Sequence, residues 1–302
     1  MGPIIFNVFT NNIFTSVKEG TLFNYADDNS VLVNGSNREE VISSLKASAN
    51  SIITWCTQNQ MEANPSKFQI MIADDEDNTT INITNSTSIK SERNVKLLGV
   101  TLDNQMNFSA HVSELLKKSS RQLNCLKRVA YPLEQKIKLL LYKSFVAANF
   151  NYCPAVWHNC GAQNTAKLEK LQFRALKFVF NDYTSDYASL LLKADLPSLE
   201  VSRLRAMAIE VFKICSGLSP NFLKDGFPLR KSNYNLRSGR SIQQQHARTT
   251  HYGLHSFKIF GAKIWNNLSR EMRDCTDLSV FKRMINTWYG FKCNCNFCHF
   301  YH

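Results

Sequence analysis

The chain changes its periodicity once, near residue 110, and few folds accommodate both parts. Before that point, apolar residues come in short runs separated by turn formers. Residues 21–25 (TLFNY) and 30–33 (SVLV) read as two strands, with Ala26-Asp27-Asp28-Asn29 as the turn between them. Over 37–58, Val41, Leu45, Ala49, Ile52 and Trp55 fall at helical spacing, with Ser36 or Asn37 as the cap. Asn64-Pro65 breaks the chain. Residues 67–73 then read as a strand, 74–78 as an acidic turn, and 79–102 as a β-ribbon ending in Leu97-Leu98-Gly99-Val100. The apolar run 4–14 fits a helix or a buried strand equally. After residue 110 the spacing is helical throughout, beginning with Val112, Leu115, Leu116, Leu123 and Leu126 on one face. Further helices are expected over 135–150, 164–180 and 199–215, with a last one capped by Thr276 or Asp277. The stretch 135–150 is apolar nearly all round, which predicts a buried helix. The expectation is an α+β chain: strands and one helix first, helices afterwards.

Charge divides at nearly the same place. Residues 1–114 hold 7 Lys/Arg against 13 Asp/Glu, a net of −6, and residues 115–302 hold 29 against 11, a net of +18. A basic surface gains affinity for nucleic acid through counterion release. On the 164–180 helix, Lys167, Lys170, Arg174 and Lys177 fall on one stripe. That stripe is either a backbone-binding surface or a solvated face. A hydrophobic content of 44% is that of a folded chain. No window approaches the eighteen apolar residues of a spanning helix, and the first twenty residues lack a basic leader, so neither membrane nor secretion is expected. With nine cysteines and no leader, reduced thiols are expected rather than a disulfide framework, and an intracellular setting, cytoplasmic or nuclear.

Tyr25-Ala26-Asp27-Asp28 is the sharpest local feature. Two adjacent carboxylates on a tight hairpin offer hard oxygen ligands, and Mg²⁺ commonly takes one or two carboxylates together with substrate phosphates. Two such ions can activate an attacking oxygen and stabilise a leaving one. The same residues are also ordinary turn chemistry.

The order of motifs is more specific than any one of them. Gly2-Pro3-x-x-Phe6-Asn7 is followed by Tyr25-Ala26-Asp27-Asp28, Trp55, Asn64 with Lys67, and Leu98-Gly99-Val100 with His111. This set resembles the second half of a reverse transcriptase of the non-LTR retrotransposon type, jockey-like. The likeness continues downstream through Tyr142-Lys143-Ser144, Tyr152-Cys153-Pro154-Ala155-Val156-Trp157, Tyr252-Gly253, Ser256-Phe257, Trp265-Asn266-Asn267-Leu268 and Phe281-Lys282. The resemblance implies a partial palm with a primer-grip-like ribbon over 1–105, an α-helical thumb and connection over 106–225, and a basic C-terminal region over 226–302. It implies RNA-directed DNA synthesis on an RNA template and a DNA primer. Asp27 and Asp28 would be Mg²⁺-binding catalytic residues, and Lys67 a lysine near the triphosphate. Gly2, Pro3, Tyr25, Leu98 and Gly99 would contact primer, template or nucleotide, and the Lys167, Lys170, Arg174, Lys177 stripe the duplex.

In the family, a further essential aspartate and the fingers lie upstream of the Gly-Pro element. Met1 stands directly before Gly2-Pro3 here, and residues 1–24 hold no aspartate. The resemblance therefore implies an N-terminally truncated polymerase that is inactive alone. The rivals are a non-catalytic nucleic-acid-binding module and a decayed reading frame. At the other end, Cys293, Cys295, Cys298, His299 and His302 crowd ten residues, which suits Zn²⁺ or an unstructured, oxidisable tail.

Overall fold

The structure is a computed structural model, and it describes residues 2–74, 79–84, 87–230 and 240–290. The chain forms two compact units, Met1–Leu97 with Asp103–Gln105, and Leu98–Leu102 with Met106–His302.

In the first unit, the ambiguous N-terminal run is helical: α1 (Gly2–Thr10) is followed by the short α2 (Ile13–Ser16). The strands β1 (Thr21–Tyr25) and β2 (Asp28–Leu32) pair antiparallel, Tyr25 opposite Asp28 and Thr21 opposite Leu32. The turn is therefore Ala26-Asp27 alone, and Asp28 opens the second strand rather than completing the turn. Asn37 caps α3 (Arg38–Gln58): its side chain accepts from the Glu40 amide at 2.9 Å, leaving Glu39 and Glu40 in the first turn, where the helix dipole favours acids. α3 holds the N-terminal helices through Trp55, whose indole donates to Asn12 at 2.9 Å and whose ring lies 6.2 Å from Phe9. The strand expected over 67–73 does not form. Asn64 accepts from the Ser66 amide and hydroxyl, winding Pro65–Lys67 into a 3₁₀ turn, and a single parallel bridge from Ile70 to Ser91 is all that follows. β3 (Thr80–Asn82) and β4 (Ser88–Lys90) pair antiparallel and place Ile81, Ile83 and Ile89 against Ile42, Leu45, Ala49 and Ile53 of α3. β5 (Asn94–Leu97) and β6 (Val100–Asp103) complete the ribbon predicted over 79–102, with Leu98-Gly99 as the last turn.

The second unit is helical. α4 (Ser109–Val129) buries Val112, Leu123 and Leu126, three of the five residues that mark its apolar face in the sequence, while Leu115 and Leu116 are half-buried. The buried helix expected over 135–150 is neither continuous nor enclosed. α5 (Gln135–Leu141) passes into a π turn over Tyr142–Val146 and a 3₁₀ turn over Ala147–Asn151. Only Tyr142, Val146 and Phe150, four residues apart, are buried, and Ile137, Leu140 and Phe145 face solvent. A run that is apolar all round still has one inward face when a single neighbouring layer covers it. α6 (Pro154–Trp157) leads to α7 (Ala162–Phe180) and α8 (Tyr187–Ala194), which close a core around Trp157, Leu168, Leu176 and Leu190. α9 (Leu199–Cys215) starts a second core with α10 (Phe257–Asn267), α11 (Arg270–Asp274) and α12 (Leu278–Ile285), built on Met207, Val211, Phe212, Trp265 and Phe281. Phe212 stacks on Phe281 at 4.4 Å. Asp277, one of the two predicted caps, accepts from the Val280 amide at 2.8 Å.

One buried polar network welds the two cores. Glu169 of α7, 2% exposed, accepts from the amides of Leu199 (3.2 Å) and Glu200 (2.8 Å), the first turn of α9, and from the Tyr187 hydroxyl. Gln172, one residue row along, donates to the Pro197 carbonyl and accepts from the Tyr142 hydroxyl. Burial and the nearby Glu169 charge push the Tyr142 hydroxyl's pKa well up, so it stays a donor.

Candidate functional site

The Asp27-Asp28 pair sits at the tip of β1–β2. A two-residue hairpin needs the mirror-image turn, which puts its first central residue at positive φ. Ala26 takes that position at φ +55°, where a Cβ is strained. Side chains of the flanking residues hold the turn: Asn24 donates to the Ala26 carbonyl at 3.0 Å and to Asn29 Oδ1 at 2.9 Å. Both aspartates are exposed, and among the described residues neither carboxylate has a hydrogen bond or ion pair. Tyr25, 69% exposed, shares a face with Asp28 because the two are directly paired.

No three Asp, Glu, His or Cys side chains gather into a metal-binding group among the described residues. Two exposed carboxylates on consecutive residues offer the hard oxygen ligands that Mg²⁺ takes together with water and phosphate oxygens. Gly2 and Pro3 form the first turn of α1, in the same unit. Lys67 ends the 3₁₀ turn with its side chain exposed. No hydrogen bond or ion pair joins it to Asp27 or Asp28 among the described residues.

Leu98-Gly99 is a second primed turn, with Leu98 at φ +46° and Gly99 at φ +84°. It is braced from downstream. The Tyr152 hydroxyl donates to the Leu98 carbonyl at 2.6 Å, and a Cβ on Gly99 would lie 3.5 Å from the Tyr152 ring. The Trp157 indole in turn donates to the Tyr152 carbonyl at 2.9 Å. Next to the turn, the buried His111 Nδ1 accepts from the Thr101 amide at 3.3 Å and its ring lies 5.7 Å from Trp157. Four motif elements far apart in sequence, Leu98-Gly99, His111, Tyr152 and Trp157, thus form one contact group. The sequence pairs Leu98-Gly99 with His111 and Tyr152 with Trp157 as two separate motifs, and only the fold joins the two.

The α7 stripe is real as a surface. Lys167, Lys170 and Arg174 are exposed and Lys177 half-exposed, opposite the buried Leu168, Leu171, Ala175 and Leu176. Lys177 lies 4.2 Å from the Phe173 ring. Lys127 of α4 comes close enough that, added to its own burial, the Arg174 charge lowers its pKa, so positive charge from two helices converges there. Lys117, Lys118, Arg121 and Arg128 are exposed along α4. The cysteines and histidines of the tail, Cys293, Cys295, Cys298, His299 and His302, for which zinc is one of two readings, lie outside the described residues. Of the two cysteines that flank Trp157-His158, Cys160 is buried, with its thiol pushed up chiefly by burial, whereas Cys153 is exposed at φ +46°.

Arg203 was missed. It is 1% exposed, lies 5.3 Å over the Trp157 ring, and donates from Nε to His158 at 3.4 Å and from Nη2 to Thr165 at 3.5 Å. A helical arginine reads as surface charge. Its position four residues before Met207 and eight before Val211, both fully buried, is the signal that places it inside.

Residues 1–102 match the family described as reverse transcriptase (RNA-dependent DNA polymerase). Among curated proteins, the chain is 27% identical over 197 residues to the retrovirus-related Pol polyprotein from type-1 retrotransposable element R1 4 of Nasonia vitripennis, covering 57% of this chain and 50% of that protein. It is 22% identical over 199 residues to a probable RNA-directed DNA polymerase from transposon BS of Drosophila melanogaster, covering 59% and 21%. It is 23% identical over 188 residues to the RNA-directed DNA polymerase from mobile element jockey of Drosophila funebris, covering 59% and 20%. The matches thus span about a fifth to a half of these relatives' length. No solved structure matches the chain significantly. No helix of the described residues is long and apolar enough to cross a membrane. Over residues 1–102 the chain is thus similar to the reverse transcriptase family, and over nearly three fifths of its length to polymerase proteins of transposable elements.

Proposed function

We propose that this chain serves RNA-directed DNA synthesis, with an RNA template and a DNA primer as its partners. The observation that carries the reading is the open carboxylate pair at the tip of β1–β2, within the segment that matches the polymerase family. Asp27 and Asp28 would hold Mg²⁺. Bound there, the metal would supply activation of the attacking 3′-oxygen and charge neutralisation at the leaving pyrophosphate. The remaining work falls to the chain's own residues. Asn24 and Asn29 fix the turn that presents the carboxylates. Tyr25, on the face of Asp28, borders the primer end, and Gly2-Pro3 at the start of α1 borders template and nucleotide. Lys67 neutralises or protonates the leaving pyrophosphate. The Leu98-Gly99 turn, held by Tyr152, positions the primer backbone through main-chain groups. Lys167, Lys170, Arg174 and Lys177 follow the phosphates of the duplex.

Two-metal chemistry draws on carboxylates from more than one strand, and the described residues gather no third one at this pair. The 302-residue polypeptide by itself is therefore expected to bind primer–template and not to extend it. Fluorescence anisotropy with a labelled RNA–DNA primer–template, followed by primer extension in Mg²⁺, tests this. Salt-sensitive binding without extension is expected. Extension that Asp27→Asn abolishes would show that the pair suffices for catalysis. Absence of binding would remove the reading altogether. A second reading, a nucleic-acid-binding module without catalysis, is favoured by the basic faces of α4 and α7, and it predicts binding that Asp27→Asn and Mg²⁺ leave unchanged.

A further inference from the structure

The helical unit contains a cavity of about 140 Å³ between α7, α9 and α10, to which the polymerase reading assigns no role. It is lined by His158, Thr165, Glu200, Arg203 and Lys263, among others. Arg203 is the unusual member. Its face lies over Trp157, and Nε and Nη2 have partners, but among the described residues Nη1 is buried with no hydrogen-bond partner. Leaving a charged donor buried and unmade costs more than a neutral one would. Nor does Arg203 form an ion pair among the described residues. Lys263 brings a second cation to the cavity, and Glu200 is the acid that lines it among those residues.

We infer that this cavity binds an oxyanion of the phosphate class, with Arg203 and Lys263 as its cationic ligands. Burial pushes Glu200 up to about 7, so its negative charge only partly offsets the Arg203 charge at neutral pH. Burial and the Arg203 charge hold His158 well below the ordinary histidine range. It is a neutral ring accepting from Arg203 through Nδ1, with its proton on Nε2. A guanidinium pairs with an oxyanion through its N–H groups, and Nη1 of Arg203 is one with no hydrogen-bond partner among the described residues. The volume is well below the about 300–1,000 Å³ of sites for organic ligands. It suits a phosphate-sized group with one or two waters at about 30 Å³ each. The cavity's rim is not closed, since Leu254 is exposed and His255 and Ile259 are half-exposed. A free phosphate ion and the terminal phosphate of a strand both satisfy this chemistry.

The test is thermal unfolding and titration calorimetry of the full chain with inorganic phosphate, against chloride at matched ionic strength. Phosphate is expected to raise the unfolding temperature beyond chloride. Lys263→Gln, at a half-exposed position that folding tolerates, and the conservative Arg203→Lys are each expected to weaken phosphate binding about tenfold, the worth of one charge-assisted hydrogen bond. No phosphate effect beyond chloride overturns the inference, and so does a Lys263→Gln variant that binds phosphate like the parent. Competition by a 5′-phosphorylated oligonucleotide, and not by its 5′-hydroxyl twin, identifies a strand end as the source. Competition by neither identifies the free ion.

Discussion

Glu200 makes the helical unit less stable as pH rises. It stands in the first turn of α9, 8% exposed, near Arg203 and the Glu169 carboxylate. Burial pushes its carboxyl up, the Arg203 charge pulls it partly back, and the Glu169 charge pushes it up again, to about 7 from an ordinary 4.5. In the unfolded chain the group titrates near its ordinary value. Between those two points the folded chain therefore keeps a proton that the unfolded chain has lost. Stability falls with rising pH wherever the folded state binds more protons, so the contribution is complete below about pH 4.5 and gone above about pH 7. At about 1.36 kcal/mol per pH unit, the gap is worth on the order of 3 kcal/mol. Glu200→Gln keeps the shape and abolishes the titration. In a Trp55→Phe background, Trp157, Trp265 and Trp288 remain, all in the helical unit, and their fluorescence follows its urea unfolding. In phosphate-free buffers, the stability of the glutamine variant relative to its parent is expected to increase by about 2–3 kcal/mol between pH 5 and pH 8. A difference that stays constant across that range, or that changes in the opposite sense, refutes the reasoning from the buried carboxyl.

Ala26→Gly relieves a strained turn position, where a Cβ costs roughly 1–2 kcal/mol, at some expense in chain entropy. A net gain of about 0.5–1 kcal/mol in hydrogen-exchange protection of the β1–β2 amides is expected, and reduced protection counts against the geometry. Tyr152→Phe removes the hydroxyl held by the Leu98 carbonyl and is expected to lower the helical unit's unfolding free energy by about 0.5–1.5 kcal/mol in urea titrations. An unchanged value would mean that Tyr152 does not brace the turn. Replacing Lys167, Lys170, Arg174 and Lys177 together by glutamine is expected to reduce the slope of log K against log salt on B-form duplex by about 3 to 4, at about 0.9 per phosphate contact. An unchanged slope assigns the stripe to solvent.

What the sequence shows well is whatever local chemistry decides. The α3 cap at Asn37, the last helix's cap at Asp277, the face of α4 and the stripe of α7 all follow from spacing and side-chain type. What it hides depends on partners distant along the chain. The 67–73 segment has strand composition but only Ser91 to bridge, and the Asn64 turn winds its start into 3₁₀ form. The 135–150 run is apolar all round, yet it meets one layer of neighbours and leaves Leu140 in solvent. Asp28 looks like a turn residue until the register pairs it with Tyr25. At the candidate site, the motifs are readable one by one. Their assembly, with Tyr152 over Gly99 and Trp157 against His111, requires the helical fold that brings residues fifty positions apart together.

The two units differ in how firmly they hold their parts, and the proposed chemistry is divided between them. In the first, Ile13, Trp55 and the isoleucines 81, 83 and 89 supply most of the buried apolar contact, and the β1–β2 and β3–β4 ribbons have two strands each. Two-stranded ribbons are marginal by themselves. The β1–β2 face that carries Asp28 also carries Phe23, Tyr25 and Leu32, all exposed. In the second unit, by contrast, Trp157, Leu168, Leu176, Phe212, Trp265 and Phe281 are fully buried or nearly so, and Glu169 ties one core to the next. Local opening follows burial and contact. The carboxylates proposed to hold Mg²⁺ therefore stand on an element of low local stability, and the basic stripe and the Tyr152 brace on elements of high stability. Nucleotidyl transfer needs its ligands held within about 0.5 Å. It follows that whatever covers the Phe23–Tyr25–Leu32 face sets the precision of Asp27 and Asp28. Cover over that face should slow amide exchange across β1–β2 far more than across α7, where the backbone is already protected.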